Sequence, residues 1–303
     1  MLQATHLVKR FDGFTALNDI SCTVPDGCIY GLVGSNGAGK STFLRTVCGI
    51  YKADEGVVMF DGQPVYDNPA AKAQMVFVPD DLYFIHGATT ARMAALYRAA
   101  YPTFDDTRYQ QLLTLFRLPA NKPISTFSKG MRRLTSTALA LSCQPKLVLF
   151  DETMDGLDPV MRHIVKSVIA DDVAARGTSA VVVSHSLREL EDLCDQLALL
   201  HEGGIVLEQD INDLKTAVFK VQIAFADEFT QERFDGMGVV HYSQLGRVAN
   251  LIINGDREEI QAKLAALSPL LLEVLPLTLE EVFTYELQAR NYDFATLLGG
   301  EEA

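Results

Sequence analysis

Short apolar runs alternate with stretches of helical spacing from the N-terminus to about residue 208. This alternation is typical of an α/β domain, in which helices cover a mostly parallel sheet. Parallel strands are buried on both faces, so they appear in a sequence as continuous apolar segments. The predicted buried strands are Ile29–Val33, Val57–Phe60, Met75–Val78, Leu147–Phe150, Ser179–Val183 and Leu197–Leu200.

The order of the predicted elements changes twice along the chain. Strand-like runs stop over residues 82–142, where the apolar spacing predicts an inserted helical subdomain. From residue 215 onward, short strands surround a helix, which predicts a small α+β appendage. We therefore expect two domains, residues 1–214 and residues 215–303. The helices predicted for the insertion are Thr90–Ala100, Asp105–Phe116 and Lys129–Leu141, and the elements predicted for the appendage are Val218–Phe225, Val239–Ser243, Val248–Ile253, Arg257–Ala266, Leu271–Leu275 and a helix from Thr278.

The composition is that of a folded globular protein with an acidic balance. Of the 303 residues 48% are hydrophobic, and the net charge is −13. Nucleic-acid binding depends on clustered Lys and Arg, so we expect no nucleic-acid partner. No run approaches the roughly 18 apolar residues that cross a bilayer, and the N-terminus lacks the apolar core of a secretion signal. We therefore predict a cytoplasmic chain without direct membrane insertion, which reaches the membrane through another protein.

A glycine-rich segment lies between a predicted strand and a predicted helix. It fits the pattern GxxxxGK[ST], whose glycines let backbone N–H groups converge on phosphate oxygens at a helix N-terminus. In it Lys40 would reach the β and γ phosphates, and Ser41 would offer its hydroxyl to Mg²⁺. A guanine-binding Asn-Lys-x-Asp motif is absent, because Asn121-Lys122 continues with Pro and Ile, so a GTPase is disfavoured. The segment consists of Gly34, Ser35, Asn36, Gly37, Ala38, Gly39, Lys40, Ser41 and Thr42.

Two adjacent carboxylates follow the predicted strand Leu147–Phe150. Asp151 would hold Mg²⁺ indirectly, and Glu152 could accept a proton from the attacking water. Carboxylates at a strand end also occur as simple helix caps. The phosphate loop favours the catalytic interpretation, with ATP and Mg²⁺ as cofactors. Kinases and transport ATPases share this loop, so the loop alone does not choose between them.

Three further segments resemble motifs of ATP-binding-cassette (ABC) proteins. Ser128–Met131 (SKGM), which begins 23 residues before Asp151, resembles the LSGGQ signature of that family. Asp155–Pro159 (DGLDP) resembles its D-loop, and Val183–His185 (VSH) resembles its switch histidine. Together with the phosphate loop, they follow the family's order and spacing over residues 1–214. The resemblance implies a P-loop NTPase fold with a helical signature subdomain.

The resemblance also implies roles for residues outside the phosphate loop. Phe11 aligns with the aromatic residue that stacks on adenine, with a buried core Phe as the alternative. His185 would bind the γ-phosphate and orient the attacking water beside Glu152. The signature and D-loop residues would contact the nucleotide of a second subunit docked head to tail, so that ATP binding closes the dimer and hydrolysis reopens it. Those residues are Ser128, Lys129, Gly130 and Asp158.

The chain departs from the family pattern at three positions. Asp80 stands where the family has a Gln that is a metal ligand and a relay to the membrane partner. Asp80 either ligates Mg²⁺ directly or is a plain turn residue, and the sequence leaves both open. Thr153 and Ser35 each replace a Pro, which loosens the backbone without removing a group that catalysis needs.

The family includes several functions, and two fit this chain. A motor subunit of an exporter is favoured, because residues 97–116, the SKGM variant and the segment 276–283 resemble bacterial ABC-2 type exporter cassettes of the antibiotic-resistance and acetoin-linked type. Such a subunit would work with separately encoded membrane permease subunits, peripherally on the inner face of the cell membrane. The alternative is a soluble ATP-gated regulator. A single phosphate loop, no sustained heptads and an acidic balance disfavour that alternative.

Overall fold

The computed structural model describes residues 1–211, 213, 218–275 and 277–289, with side chains up to residue 285. Parts of the predicted appendage, residues 215–217, 276 and 290–303, lie outside these described residues. Internal contacts divide the chain into two units, Met1–Glu208 and Gln209–Ala303. None of the described helices is long and apolar enough to cross a membrane.

The first unit opens with an antiparallel sheet of strand order β2-β1-β4-β5. The sequence pattern did not identify its first two strands, because bulges at three places between them break the alternation of apolar and polar positions. The predicted strand Val57–Phe60 belongs to this antiparallel sheet and not to the parallel one. The strands are β1 (Leu2–Phe11), β2 (Phe14–Val24), β4 (Glu55–Phe60) and β5 (Gln63–Pro64).

A six-stranded sheet of order β10-β9-β3-β8-β7-β6 carries the candidate site. Its pairs β3–β8, β3–β9, β7–β8 and β6–β7 are parallel, which confirms the predicted α/β class. Every residue of β3 and of β7 is buried, as expected for strands covered on both faces. The strands are β3 (Ile29–Val33), β6 (Met75–Val78), β7 (Leu147–Asp151), β8 (Ser179–Ser184), β9 (Gln196–His201) and β10 (Gly204–Asp210).

Helices cover this sheet, and three of them form the predicted insertion. Each insertion helix starts at a side chain that accepts a hydrogen bond from the first turn, namely Thr89, Asp105 or Ser128. These caps place the helix starts within about one residue of the predicted positions. The helices are α1 (Lys40–Val47), α2 (Pro69–Lys72), α3 (Thr90–Ala100), α4 (Asp106–Leu115), α5 (Lys129–Ser142), α6 (Pro159–Arg176) and α7 (Leu187–Glu191).

The second unit is a small α+β structure built on an antiparallel sheet of order β12-β13-β11-β14. Its apolar core includes a cluster of rings formed by Phe225, Phe229, Phe234 and Tyr242. Aromatic edge-to-face contacts of this kind add to the burial of apolar surface. The elements are β11 (Val218–Ala224), β12 (Val239–Leu245), β13 (Val248–Asn254), α8 (Arg257–Ala266), β14 (Leu271–Leu275) and α9 (Leu279–Ala289).

Candidate functional site

The glycine-rich loop joins the buried strand β3 to helix α1. Gly39, the residue before the helix, has φ 108°, and a Cβ there would lie 2.6 Å from the carbonyl oxygen of Ala16. A Cβ on Gly34 would lie 2.3 Å from the carbonyl oxygen of Leu200. Gly39 is required by its left-handed backbone and by the close approach, and Gly34 is required by the close approach. The loop is therefore held against neighbouring backbone, with its N–H groups at the start of α1.

Lys40, the first residue of α1, is folded into the loop. Its side chain is only 6% exposed, and Nζ donates hydrogen bonds to the carbonyl oxygens of Gly34 at 2.7 Å and Ser35 at 3.0 Å. Burial lowers the pKa of Lys40, while the nearby carboxylates of Glu152 and Asp151 oppose that shift. The loop thus combines a buried ammonium with backbone donors at a helix N-terminus, which is a site for phosphate.

A cavity of about 420 Å³ opens beside this loop. It brings together predicted site residues that follow three strands: the phosphate loop follows β3, Asp80 follows β6 and Glu152 follows β7. Phe14, at the start of β2, is 65% exposed and also lines the cavity, although sequence reasoning did not select it. No sequence signal separated it from an ordinary strand aromatic. The lining residues are Phe14, Ala16, Asn36, Gly37, Gly39, Lys40, Ser41, Thr42, Asp80 and Glu152.

Asp151 ends β7 as a buried carboxylate that lacks hydrogen-bond partners. It is 1% exposed, and neither Oδ1 nor Oδ2 has a partner among the described residues. Burial is the main cause that raises the pKa of Asp151, and the neighbouring Ser41 side chain lowers it in part. An orphaned carboxylate beside a hydroxyl suits an Mg²⁺ ion, which keeps several waters and needs few protein ligands. Asp151 and Ser41 are therefore the residues that could hold the metal.

Glu152 occupies an unusual backbone position between two other predicted catalytic residues. Its φ is 47°, in the left-handed region that few side chains adopt. Its Oε1 lies 3.8 Å from Lys40 Nζ, and its Oε2 lies 3.6 Å from His185 Nδ1. The ends of β7 and β8 are adjacent because Asp151 pairs with Val183 in the parallel register. A carboxylate held between a cation and a histidine can accept a proton from a water at the cavity.

Phe11 lies elsewhere at the end of β1. Its ring is 39% exposed and packs edge-on against Tyr51, with ring centroids 5.4 Å apart, while Lys9 Nζ lies 5.2 Å from its centroid. Phe11 is therefore not a core residue, and it does not line the cavity described above.

The residues that resemble the signature and the D-loop contact each other. Lys129 Nζ donates to Asp155 Oδ2 at 2.8 Å, and a Cβ on Gly130 would lie 3.4 Å from the Gly156 carbonyl oxygen. Ser128 Oγ accepts from the backbone N–H of Met131 at the start of α5. Asp158 likewise caps α6, where its carboxylate accepts from Val160 N and Met161 N at 3.0 Å each.

Arg133 is a site-adjacent residue that sequence reasoning missed. On α5 it follows Arg132, and an arginine pair on a helix predicts a solvated face. Instead, the guanidinium of Arg133 is buried, and Nη2 donates to Asp80 Oδ1 at 2.5 Å. The carboxylate of Asp80, which the sequence left open as a metal ligand or a turn residue, is therefore paired with an arginine.

The strand–loop–helix with its buried lysine, and the two carboxylates at the end of β7 in the same parallel sheet, define a P-loop NTPase. Comparison with known sequences narrows this class. The profile of the family described as ABC transporter matches residues 17–155. The ABC transporter ATP-binding protein YtrB of Bacillus subtilis (strain 168) is 33% identical over 283 residues, which are 93% of this chain and 97% of that protein. This chain belongs to the ABC transporter ATP-binding proteins, and it is an ATPase.

Other relatives share the cassette over a shorter length. The lantibiotic transport ATP-binding protein SrtF of Streptococcus pyogenes is 27% identical over 233 residues, 74% of this chain and 98% of that protein. The methionine import ATP-binding protein MetN of Protochlamydia amoebophila is 29% identical over 209 residues, covering 66% and 61% of the two chains. A solved ATP-binding subunit of an ABC transporter superposes with a TM-score of 0.66 at 26% identity, covering 71% of this chain and 92% of that one. These likenesses confirm the predicted P-loop fold.

Proposed function

We propose that this chain is the ATP-driven motor subunit of a membrane exporter, in which two cassettes close head to tail on MgATP. The observation that carries the proposal is the position of the Glu152 carboxylate: it lines the cavity beside the phosphate loop with Lys40, 3.8 Å from Lys40 Nζ and 3.6 Å from His185 Nδ1. Lys40 follows β3 through the phosphate loop, Glu152 follows β7 and His185 follows β8. The arrangement suits hydrolysis of a bound nucleoside triphosphate by positioned water.

The chemistry follows from where each side chain lies. Lys40 and the loop N–H groups would bind the β and γ phosphates, while Ser41 and Asp151 would hold Mg²⁺, which supplies charge neutralisation on the phosphates. Glu152 would accept the proton of the attacking water, and His185 would orient that water. Bound phosphate would also replace the hydrogen bonds that Lys40 makes to Gly34 and Ser35.

A second copy of the chain would complete each nucleotide site. Ser128, Lys129 and Gly130 are not among the residues that line the cavity of their own chain, whereas Lys40 and Glu152 line it together. The signature segment instead lies at the start of α5, against Asp155 and Gly156. A head-to-tail partner would bring this segment, with Asp158, to the nucleotide, so that ATP binding drives closure.

The relatives support a role in transport, and we propose export because residues 97–116, 128–131 and 276–283 resemble exporter cassettes. YtrB matches the chain over nearly its whole length, including the second unit, and SrtF is by its name a lantibiotic transport protein. MetN, an import protein, matches a smaller share of the chain. We infer that the chain works peripherally at the inner face of the cell membrane, bound to a permease encoded separately.

Co-expression with a candidate membrane protein, chosen from the reading frames next to its gene for about six apolar spans, tests the proposal. We expect the two to copurify in detergent, and reconstitution in liposomes to raise ATP turnover relative to the free cassette. Cells with the wild-type pair should tolerate a lantibiotic panel better than cells with the Glu152→Gln pair. Copurification without any change of turnover would refute coupling, and greater sensitivity of the wild-type cells would indicate import.

A further inference from the structure

Arg133 is a buried cation in the first unit that makes contacts on three sides. Its side chain is only 2% exposed, although arginine is almost never fully buried without partners. Nη1 donates to the carbonyl oxygen of Glu152 at 2.7 Å, and Nη2 donates to Asp80 Oδ1 at 2.5 Å. Nη2 also lies 3.6 Å from Asp155 Oδ2. The guanidinium therefore links α5 to the residues that follow β6 and β7.

The contact with Glu152 falls on a strained part of the backbone. Glu152 has φ 47°, and such a conformation persists in a non-glycine residue only where its surroundings impose it. On one side, the Glu152 N–H donates to the Val183 carbonyl oxygen at 3.1 Å. On the other side, Arg133 holds the Glu152 carbonyl oxygen by a charge-assisted bond, which is stronger than a neutral one. The two bonds together fix both peptide groups that flank the side chain.

Asp80 supplies the charge that lets Arg133 remain buried. Its Oδ1 accepts from Arg133, while Asp155 lies farther from the guanidinium and accepts its shorter bond from Lys129 Nζ, at 2.8 Å. A buried guanidinium with no counter-ion is strongly unfavourable. The pairing also directs Asp80 Oδ1 towards Arg133.

We propose that Arg133 is a positioning residue for Glu152, and that Asp80 is its counter-ion and not a ligand of Mg²⁺. This inference rests on the role proposed above for Glu152. By holding the Glu152 carbonyl, Arg133 fixes the backbone from which the carboxylate reaches towards Lys40 and His185. Arg133 acts through Glu152 and does not touch the nucleotide site itself.

Steady-state ATP turnover of Arg133→Gln and Arg133→Lys tests the positioning role. Misplacement of a reacting group by about 1 Å can cost about 10²-fold in rate, so we expect a fall of that order for Arg133→Gln. Arg133→Lys, which keeps the charge but cannot hold both partners, should lie between this variant and the wild type. ATP affinity measured in EDTA should stay unchanged in both variants, because the phosphate loop is untouched. Turnover of Arg133→Gln within twofold of the wild type would overturn the inference.

Arg132→Gln is the matched control. It removes the same charge from the neighbouring position of α5, where the side chain is exposed and donates to the Ser125 carbonyl oxygen at 3.2 Å. We expect its turnover and melting temperature to equal those of the wild type. An equal loss in Arg132→Gln and Arg133→Gln would show that helix charge matters and positioning does not.

Two further variants test the positioning role of Arg133 and the counter-ion role of Asp80 separately. In Glu152→Gln, adding Arg133→Gln should not lower the residual turnover further, because the group that Arg133 positions is already gone. A further loss would contradict the inference.

In Asp80→Asn, the Mg²⁺ concentration for half-maximal turnover should be unchanged, whereas loss of a metal ligand would raise it by about 10-fold or more. All comparisons are ratios to the wild-type rate of the free cassette, so a failure of the exporter proposal would leave them unchanged.

Discussion

Replacing Asp151 by Asn is expected to stabilise the nucleotide-free protein while it abolishes Mg²⁺-dependent turnover. The wild-type carboxylate is buried, and neither of its oxygens has a hydrogen-bond partner in the described part of the chain. Its pKa is raised chiefly by burial, so the folded state disfavours the ionised form. Asn keeps the shape of the side chain without the charge. The substitution therefore removes a cost that a bound metal would offset.

The magnitude and the pH dependence follow from the same burial. Because the pKa of Asp151 is raised on folding, the ionised carboxylate destabilises the folded state. This destabilisation is absent below the ordinary carboxyl pKa, grows as the pH rises, and is complete above the folded-state pKa. An unsatisfied buried group costs about 1–3 kcal/mol, and the Asn amide retains part of that cost. We therefore expect a gain of about 1 kcal/mol near pH 7, or a rise in Tm of about 2–4 °C for a domain of this size.

Thermal unfolding followed in EDTA and in MgATP measures both sides of this prediction. In EDTA, Asp151→Asn should melt above the wild type at pH 7.5, and the difference should shrink as the pH falls below the raised pKa of Asp151 towards the ordinary carboxyl pKa. MgATP should raise the Tm of the wild type far more than that of the variant. The control Asp171→Asn changes an exposed carboxylate on α6 and should leave the Tm unchanged. A variant that melts at or below the wild type in EDTA would refute the reasoning.

Two further substitutions test the loop and the strand end that carries the histidine. Gly39→Ala should abolish ATP binding in a fluorescence titration, because its Cβ would lie 2.6 Å from the Ala16 carbonyl oxygen. The control Gly62→Ala, also at positive φ but with nothing within 4 Å of the added Cβ, should bind ATP normally. Normal binding by Gly39→Ala would contradict the loop geometry. Ser184→Ala removes the hydroxyl that donates to the buried Glu189 carboxylate at 2.6 Å, and it should lower the free energy of unfolding in urea by about 1–3 kcal/mol. An unchanged urea midpoint would show that this bond contributes nothing.

The parts of the site that could be predicted from the sequence are those with local spacing. Residues 34–42 and the Asp151-Glu152 pair each follow a continuous apolar strand, so their positions at the sheet edge follow from the strand pattern alone. The helix starts were predictable for the same reason, since caps such as Thr89 act within one turn.

The remaining features depend on contacts between distant segments. Arg132 and Arg133 are equivalent in the sequence, yet only Arg133 is buried, because Asp80 and the Glu152 carbonyl meet it from other strands. The bulged pairing of β1 with β2 hides both strands from a search for alternation. Tertiary packing decides these features, and a single sequence does not display it.

Mixing two inactive variants tests the head-to-tail dimer most directly. Lys40→Ala disables the phosphate loop and Ser128→Arg disables the signature segment. A mixed dimer holds one site with both residues intact only if these residues act across the dimer. The control mixes Lys40→Ala with Glu152→Gln, which lie in one site because Lys40 Nζ is 3.8 Å from Glu152 Oε1 in the same chain.

Turnover of MgATP is measured for each variant alone and for each equimolar mixture. Half of the dimers in a mixture are mixed, so the first mixture should regain up to about a quarter of wild-type turnover, if the two sites of the symmetric dimer act independently. The control mixture should stay inactive. Recovery in the first mixture alone is the result that the account predicts. No recovery in the first mixture, or equal recovery in both, would contradict a nucleotide site shared between two chains.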